Sequence, residues 1–161
     1  LIADISYLKE IGGSSLTDPT TPHNLFKSGI PSSYVPFRNT HLLAIATSWA
    51  ETIAARAIFI GAVEQDSSGY PDCRSDYFRT FNELLERGTR PETHIKVLTP
   101  LIELKKKDII KMAIRLKAPI HLTWSCYYKS RKACGTCDSC ILRLKGFKEA
   151  GVKDPIPYAG R

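Results

Sequence analysis

The sequence contains no run of about 18 apolar residues, the length that a membrane-spanning helix requires. We therefore expect no membrane span, and we also expect no secretory leader. Cysteine is scarce outside one short stretch, because only Cys73 of the five cysteines lies elsewhere. This scarcity excludes a disulfide framework distributed along the chain, and it predicts a cytoplasmic protein whose cysteines bind metal.

Acidic residues are also in short supply. The chain has 16 Asp and Glu against 23 Lys and Arg, which gives a net charge of +7. Such an excess indicates anionic partners, either phosphorylated small molecules or nucleic acid. The basic residues are scattered apart from two clusters, at 105–107 and 129–132. We therefore expect most of them to form solvated surface, and we do not expect direct nucleic-acid binding.

A glycine-rich phosphate loop is missing as well. The nearest candidate is the segment IGGSSLTD at residues 11–18. ATP loops of the pyrophosphatase type read S-G-G-x-D-S directly after an apolar strand. Here Lys9 and Glu10 stand before the glycines, no serine precedes Gly12, and Ser15 occupies the place of the aspartate. We therefore do not assign this segment as an ATP loop.

Cysteines are concentrated in one segment of the last quarter of the sequence. Cys126, Cys134, Cys137 and Cys140 follow the pattern C-x7-C-x2-C-x2-C. Each C-x2-C pair can grip one ion from a tight turn, and four thiolates complete the closed tetrahedral shell of a structural zinc site. The alternative is a redox C-x-x-C motif, which needs two cysteines and leaves Cys126 and Cys140 without a role. We predict one structural Zn²⁺ per chain.

The apolar pattern predicts alternating strands and helices. Strands are predicted at 2–8, 57–63 and 94–99, and helices at 39–56, 75–86, 106–117 and 138–150, with a long loop at 17–33. The run AIFIGAV at 57–63 is typical of a strand covered on both faces. This order predicts a parallel α/β sheet with right-handed crossovers in a domain at 1–122, followed by a zinc-binding helical segment at 123–161. Ligands bind beyond the carboxyl ends of such strands, so residues 61–73 and 100–107 are expected to share a crevice.

The loop after the second predicted strand contains Glu64, Asp66 and Asp72. These carboxylates could hold Mg²⁺ or accept hydrogen bonds from the edge of a purine-like ring, on which Tyr70 could stack. The alternative is a solvated polar loop in which Asp72 caps a helix. Cys73 stands alone, and we expect a partly buried thiol without a reactive role.

Two helix N-termini carry basic residues. VPFRN at 35–39 places Arg38 and Asn39 where free N–H groups, the helix dipole and a guanidinium could bind an anion. The alternative is that Asn39 or Thr40 is the N-cap and Arg38 lies at the surface. Lys106 begins the predicted helix at 106–117 and could reach a phosphate. The alternative is that it is one of three solvated lysines at 105–107.

Four segments point to one family. They are VPFRN (35–39), IFIGAVEQDSSGYPDCR (58–74), TPLIELKKKDII (99–110) and TWSCYYKSRKACGTCDSCILRLKGFKEAG (123–151). Together they resemble the 7-cyano-7-deazaguanine synthase family, the nitrile-forming enzymes of queuosine-precursor biosynthesis within the PP-loop ATP-pyrophosphatase superfamily. The resemblance implies a Rossmann-like fold of the adenine nucleotide alpha hydrolase type and a homodimer.

The resemblance also implies an activity. The family takes 7-carboxy-7-deazaguanine, ammonia and ATP with Mg²⁺, adenylates the carboxylate, forms an amide and dehydrates it to the nitrile. Members begin with a strand and an S-G-G-x-D-S loop, which this sequence lacks, so we expect a C-terminal portion that adenylates poorly as given. Two alternatives stay open: a zinc-stabilised binding module without catalysis, and a relative that acts on another carboxylate.

Residue roles follow from the same resemblance. ATP or pyrophosphate is expected to contact Arg38, Asn39, Gly61 and Lys106. The substrate is expected to lie against Asp66, Tyr70 and Asp72, bordered by Thr123, Trp124 and Arg143. No catalytic acid or base is identified.

Overall fold

A computed structural model describes residues 1–18, 20–21, 29–64 and 69–160. The chain forms two compact units, Leu1–Ile102 and Glu103–Arg161. The described helices are α1 (Leu8–Ile11), α2 (Arg38–Thr52), α3 (Ser75–Gly88), α4 (Lys106–Arg115) and α5 (Asp138–Ala150), and the strands are β1 (Ala57–Phe59) and β2 (Lys96–Leu98). Single 3-10 turns lie at Pro71–Cys73 and Ile120–Leu122. The domain boundary expected after residue 122 stays a prediction.

A parallel pair of strands forms the centre of the first unit. β1 and β2 pair in the register Ala57↔Lys96, Ile58↔Val97 and Phe59↔Leu98, with α3 in the crossover between them. The predicted parallel α/β architecture is therefore confirmed, although both strands are shorter than expected. Phe59 is 71% exposed, so the prediction that this strand is covered on both faces is wrong. Alternate side chains point to opposite faces, so Ile58 in β1 and Ile60 just after it pack against the core while Phe59 does not.

The predicted first strand at 2–8 is wrong. The N–H of Ser6 donates to Asp4 Oδ1 at 2.7 Å, and the N–H of Leu8 donates to Ile5 O at 3.1 Å. These local bonds bend the chain into a turn that leads into α1, while Ile2 is fully exposed. The hydrogen bond from the Ser6 N–H to the Asp4 side chain therefore determined the local structure, and the weak alternation of apolar residues did not. The predicted loop at 17–33 lies partly outside the described residues.

The core of the first unit lies between α2, α3 and the strands. It comprises Leu43, Ala50, Ala62, Phe78, Phe81, Leu85, Ile95 and Val97. Several apolar residues in and next to the helices lie outside this core. Leu42, Trp49 and Leu84 are exposed, because the buried stripe of each helix is narrower than the full set of apolar positions, and Ile53 is exposed just after the end of α2. In the second unit Leu116 is also exposed, because α4 ends at Arg115.

Two helices pack closely in the second unit. α5 has the bounds predicted from sequence, and Gly151 ends it with a φ of +76°. Gly146 lies in the middle of α5 against α4. A methyl group on Gly146 would lie 2.6 Å from Lys106 Cγ and 3.1 Å from both Lys106 Cβ and Ile110 Cδ1. Glycine is therefore required here by the close approach of α4.

None of the described helices combines the length and the apolar character that crossing a membrane would take.

We predict that Gly146→Ala lowers the free energy of unfolding by about 1–3 kcal/mol, because the added methyl group forces α4 and α5 apart. Gly88→Ala is the matched control at the end of α3, where the methyl group would meet only Leu84 Cδ1 at 3.9 Å. Urea unfolding followed by circular dichroism measures both. Equal stability of Gly146→Ala and the parent protein would contradict the close packing of α4 on α5.

Candidate metal centre and neighbouring loop

The four clustered cysteines form a site for one metal ion. The Sγ atoms of Cys126, Cys134, Cys137 and Cys140 all lie within 4.8 Å of one another. Cys134 Sγ and Cys140 Sγ are 3.9 Å apart, and all the cysteines are free thiols. A tetrahedral ion with metal–sulfur bonds of about 2.3 Å requires sulfurs about 3.8 Å apart. The donor set therefore fits a closed tetrahedral site, and the prediction that these residues can bind a metal is confirmed.

Backbone N–H groups surround the sulfurs on the loop side of the site. The N–H of Cys134 donates to Cys126 Sγ at 3.3 Å, and those of Thr136 and Cys137 donate to Cys134 Sγ at 3.5 and 3.3 Å. Gly135 has a φ of +77°, which makes this turn possible. Cys137 then precedes α5 and Cys140 lies in its first turn, so the helix begins at the site.

These contacts divide the thiols into two kinds. Burial opposes ionisation of Cys134, but the N–H groups of Thr136 and Cys137 lower its pKa to about 6. At Cys126 burial also acts to raise the pKa, but the hydrogen bond from the N–H of Cys134 outweighs it, so the pKa of Cys126 is lowered. Cys140 is fully buried, and burial raises its pKa. A metal ion must therefore displace the proton of Cys140, whereas Cys126 and Cys134 lose their protons at a lower pH than an ordinary thiol does.

Arg143 in α5 is a buried residue whose guanidinium is bound within the protein. Its Nε and Nη2 donate to Asp154 Oδ2 and Oδ1 at 2.6 and 2.9 Å, and its Nη1 donates to Thr123 Oγ1 at 2.9 Å. Burial opposes ionisation of Asp154, but Arg143 and Tyr158 hold its pKa below the usual value. The expected border role of Arg143 at the substrate stays a prediction, and in this structure each of its three guanidinium nitrogens donates to a group of the protein.

Thr123 and Trp124 lie in the segment that leads into the metal site. Thr123 Oγ1 donates to Ile120 O at 2.6 Å besides accepting from Arg143. The indole N–H of Trp124 donates to Lys129 O at 2.9 Å, while the side chain is partly exposed. The hydroxyl of Thr123 is therefore engaged, whereas Trp124 is 39% exposed.

In the first unit, Asp72 caps α2 from a distant part of the chain. Its Oδ2 accepts the N–H of Asn39 at 3.0 Å, and Asn39 Nδ2 donates to Asp72 O at 2.8 Å and to Cys73 Sγ at 3.3 Å. The prediction of a helix N-terminus with free N–H groups is therefore wrong at Asn39. The predicted N-cap is wrong too, because α2 begins at Arg38 after Phe37, which has a φ of +59°.

Glu64 has a similar capping role, because its Oε2 accepts the N–H of Ser75 at the start of α3 at 2.9 Å. Asp72 therefore caps α2 and not the helix that follows it. Tyr70 is buried, donates its hydroxyl to Ser33 Oγ at 2.9 Å, and packs with its ring centre 5.6 Å from that of Tyr34. The ring on which a substrate was expected to stack is thus covered by protein. Asp66 lies outside the described residues.

The remaining predicted phosphate-binding residues lie in different surroundings. Arg38 is half-buried beside Cys73, and among the described residues no carboxylate pairs with its guanidinium. Gly61 is exposed after β1, where a methyl group would meet no atom within 4 Å. Lys106 is half-buried, and its aliphatic stem packs on Gly146. The crevice expected to unite residues 61–73 and 100–107 stays a prediction.

Asp154 and Tyr158 belong to the site although sequence analysis gave them no role. Tyr158 donates its hydroxyl to Asp154 Oδ2 at 2.7 Å, which adds to the pair with Arg143. The only signal in the sequence is an acidic residue in a basic segment, 11 positions after Arg143. Such a spacing corresponds to no local motif, so the pairing could not be predicted.

Comparison with known proteins gives consistent matches. The sequence profile of the family described as "Queuosine biosynthesis protein QueC" matches residues 1–151. The chain is 57% identical over 158 residues to a 7-cyano-7-deazaguanine synthase of Chlorobium chlorochromatii, covering 96% of this chain and 69% of the relative. It is 53% identical over 161 residues to one from Chlorobaculum parvum (98% and 71%) and 53% over 159 residues to one from Nautilia profundicola (98% and 72%). These matches do not favour a binding module without catalysis.

We predict that Asp72→Ala lowers the free energy of unfolding of the first unit by about 1–2 kcal/mol, because the α2 cap is lost. Asp76→Ala is the matched control, since the exposed Asp76 carboxylate accepts a hydrogen bond from the adjacent N–H of Tyr77 rather than from a distant helix. Urea unfolding measures both variants. A variant at Asp72 that is as stable as the control would show that the cap contributes nothing.

Proposed function

The chain belongs to the queuosine biosynthesis protein QueC family, and on that premise we propose that it converts 7-carboxy-7-deazaguanine and ammonia to 7-cyano-7-deazaguanine at the expense of ATP. The observation that carries this proposal is the 57% identity to a curated 7-cyano-7-deazaguanine synthase over 96% of the chain. Such a reaction makes a carbon–nitrogen bond, so the enzyme would be a ligase. We further propose a cytoplasmic homodimer, on the family resemblance alone.

The chemistry begins with a poor electrophile. A carboxylate oxygen attacks the α-phosphorus of ATP and pyrophosphate leaves, which turns the carboxylate into an acyl adenylate. Ammonia then displaces AMP and gives the amide. The amide oxygen then attacks the α-phosphorus of another ATP and pyrophosphate leaves. The oxygen departs with AMP, the nitrogen loses its two remaining protons, and the nitrile results. Mg²⁺ and cationic side chains would offset charge on the departing phosphates.

Arg38 is the side chain that we assign first to the phosphates. The first-turn N–H of Asn39 already bonds Asp72, so the guanidinium is the group at this end of α2 that remains able to bind an anion. We assign the open backbone at Gly61 to the same ligand, and Lys106 remains a proposed phosphate ligand. Asn39 and Asp72 would then act by fixing the loop that leads to Cys73, and Tyr70 by packing beneath it.

For the substrate, we assign ring contact to Trp124, whose indole is partly exposed and anchored through its N–H. Arg143 would act by holding Thr123, because its Nη1 bonds the Thr123 hydroxyl at 2.9 Å. Asp66 remains a proposed substrate ligand. No described side chain is assigned as the acid or base.

We propose Zn²⁺ as the metal at the four cysteines. Four sulfur donors with no place for water suit a structural ion, which would fix the segment between Cys126 and α5. The ion would supply folding energy and no step of the reaction.

The purified protein is predicted to carry one equivalent of zinc, and Cys140→Ser is predicted to lose it, because three thiolates cannot close the site. Cys73→Ser is the matched control and should keep the metal, since Cys73 lies outside the cluster. Elemental analysis and thiol titration measure the outcome. A folded protein without metal, with all its thiols titratable, would refute the zinc assignment.

For the reaction, we predict ATP consumption that requires both 7-carboxy-7-deazaguanine and ammonium, with the nitrile detected by mass spectrometry. The assay uses the protein as its gene encodes it. ATP turnover triggered by a different carboxylate, without nitrile from this one, would show that the chain is a relative with another substrate.

Arg38→Ala should raise the KM for ATP about tenfold, as expected for the loss of a charge-assisted phosphate contact. Arg87→Ala in the last turn of α3 is the matched control and should leave the KM unchanged. If both variants behave alike while remaining folded, Arg38 does not bind the phosphates.

A further inference from the structure

Residues 154–159, here called the strap, follow α5 and pair with the cysteine loop. The N–H of Ala133 donates to Pro157 O at 2.9 Å, and the N–H of Ala159 donates to Ala133 O at 2.9 Å. Ala133 and Tyr158 form a parallel bridge. Because Ala133 directly precedes Cys134, this bridge ties the strap to the backbone that carries a metal ligand.

Side chains of the strap cover one side of the metal site. Ile156 is buried in the same cluster as Cys137 and Cys140. The Tyr158 ring lies over the turn, since a methyl group on Gly135 would be 3.5 Å from Tyr158 Cδ1. Cys140 is 0% and Cys137 4% exposed, whereas the other two ligands are only half-buried. The strap side of the site is therefore closed, and the loop side is partly open.

One carboxylate holds the strap in place. Asp154 is buried and accepts hydrogen bonds from Arg143 Nε at 2.6 Å and Arg143 Nη2 at 2.9 Å. It also accepts the Tyr158 hydroxyl at 2.7 Å and the N–H of Ile156 at 3.2 Å. Both carboxylate oxygens of Asp154 thus accept hydrogen bonds. They connect Arg143 in α5 to Ile156 and Tyr158, the residues that cover the cysteines.

We propose that the strap retains the metal in the four-cysteine site, with Asp154 as the positioning residue that keeps it closed; this inference rests on the zinc proposed above. Release requires the metal–sulfur bonds to be exchanged one by one for those of an incoming ligand. Closure over Cys137 and Cys140 keeps such a ligand away from two of the four bonds. Opening the strap breaks a bidentate buried ion pair, so opening is rare and release is slow.

The test measures the rate at which zinc passes from the full chain to the chromogenic chelator 4-(2-pyridylazo)resorcinol. Asp154→Asn removes the charge opposite Arg143, and Tyr158→Phe removes one hydroxyl while keeping the ring. Glu149→Gln is the matched control, because Glu149 also pairs with a cation of α5, Lys145, but at 3.8 Å and in solvent. Zinc content before transfer and the spectrum of the cobalt-substituted protein confirm that each variant holds a tetrahedral four-sulfur site.

Asp154→Asn is expected to release zinc about tenfold faster or more, since the loss of a buried ion pair exceeds the free energy that a factor of ten requires. Tyr158→Phe should release it roughly fivefold faster, because one bond to a charged group is lost. Glu149→Gln should behave as the parent does. A merely structural role would lower the melting temperature of Asp154→Asn without changing release far below that temperature.

Two negative outcomes are distinguishable. A parent protein that binds no zinc refutes the metal assignment and the strap with it. A parent protein that binds zinc, with release unchanged in Asp154→Asn and Tyr158→Phe, overturns the strap alone. If Asp154→Asn does not fold or load, Tyr158→Phe decides, and unchanged release in that variant overturns the proposal.

Discussion

Mutual repulsion of four thiolates is the constraint around which the second unit is organised. The cysteine sulfurs lie within 4.8 Å of one another, a distance at which four negative charges cannot coexist without a cation. N–H groups of the loop reduce the repulsion on one side, while burial of Cys140 at the start of α5 outweighs the N–H of Gly135 and raises its pKa. The divalent ion proposed above would resolve this conflict, and α5, the loop and the strap would then have one fixed point in common.

Carboxylates in the first unit serve a comparable purpose without a metal. Asp72 caps α2, and Glu64 caps α3, so the acidic loop after β1 determines where two helices begin. Residues that sequence analysis placed against a ligand thus shape the backbone around its expected position. A capping carboxylate also neutralises the positive end of a helix, which is why the proposed anion contact at this end of α2 is assigned to the Arg38 side chain.

The sequence predicted the features that neighbouring residues determine, namely the bounds of α5 and the metal ligands. The bounds of α5 follow from its position after Cys137 and from Gly151, and the metal ligands follow from their spacing. The pairs Asn39–Asp72 and Arg143–Asp154 join residues 33 and 11 positions apart, and the sequence around each residue contains no motif that identifies its partner. The error at residues 2–8 has the opposite cause, because a bond between Asp4 and Ser6 outweighed the apolar pattern.

The most direct measurement of the central claim is X-ray absorption at the zinc edge of the purified protein. A closed site of four cysteines predicts a single shell of four sulfur neighbours at about 2.3 Å and no nitrogen or oxygen neighbour. A shell with fewer than four sulfurs, or with a nitrogen or oxygen at about 2.0–2.1 Å, would contradict it. It would mean that the cluster is open to water or to another side chain, and that the second unit is held together in another way.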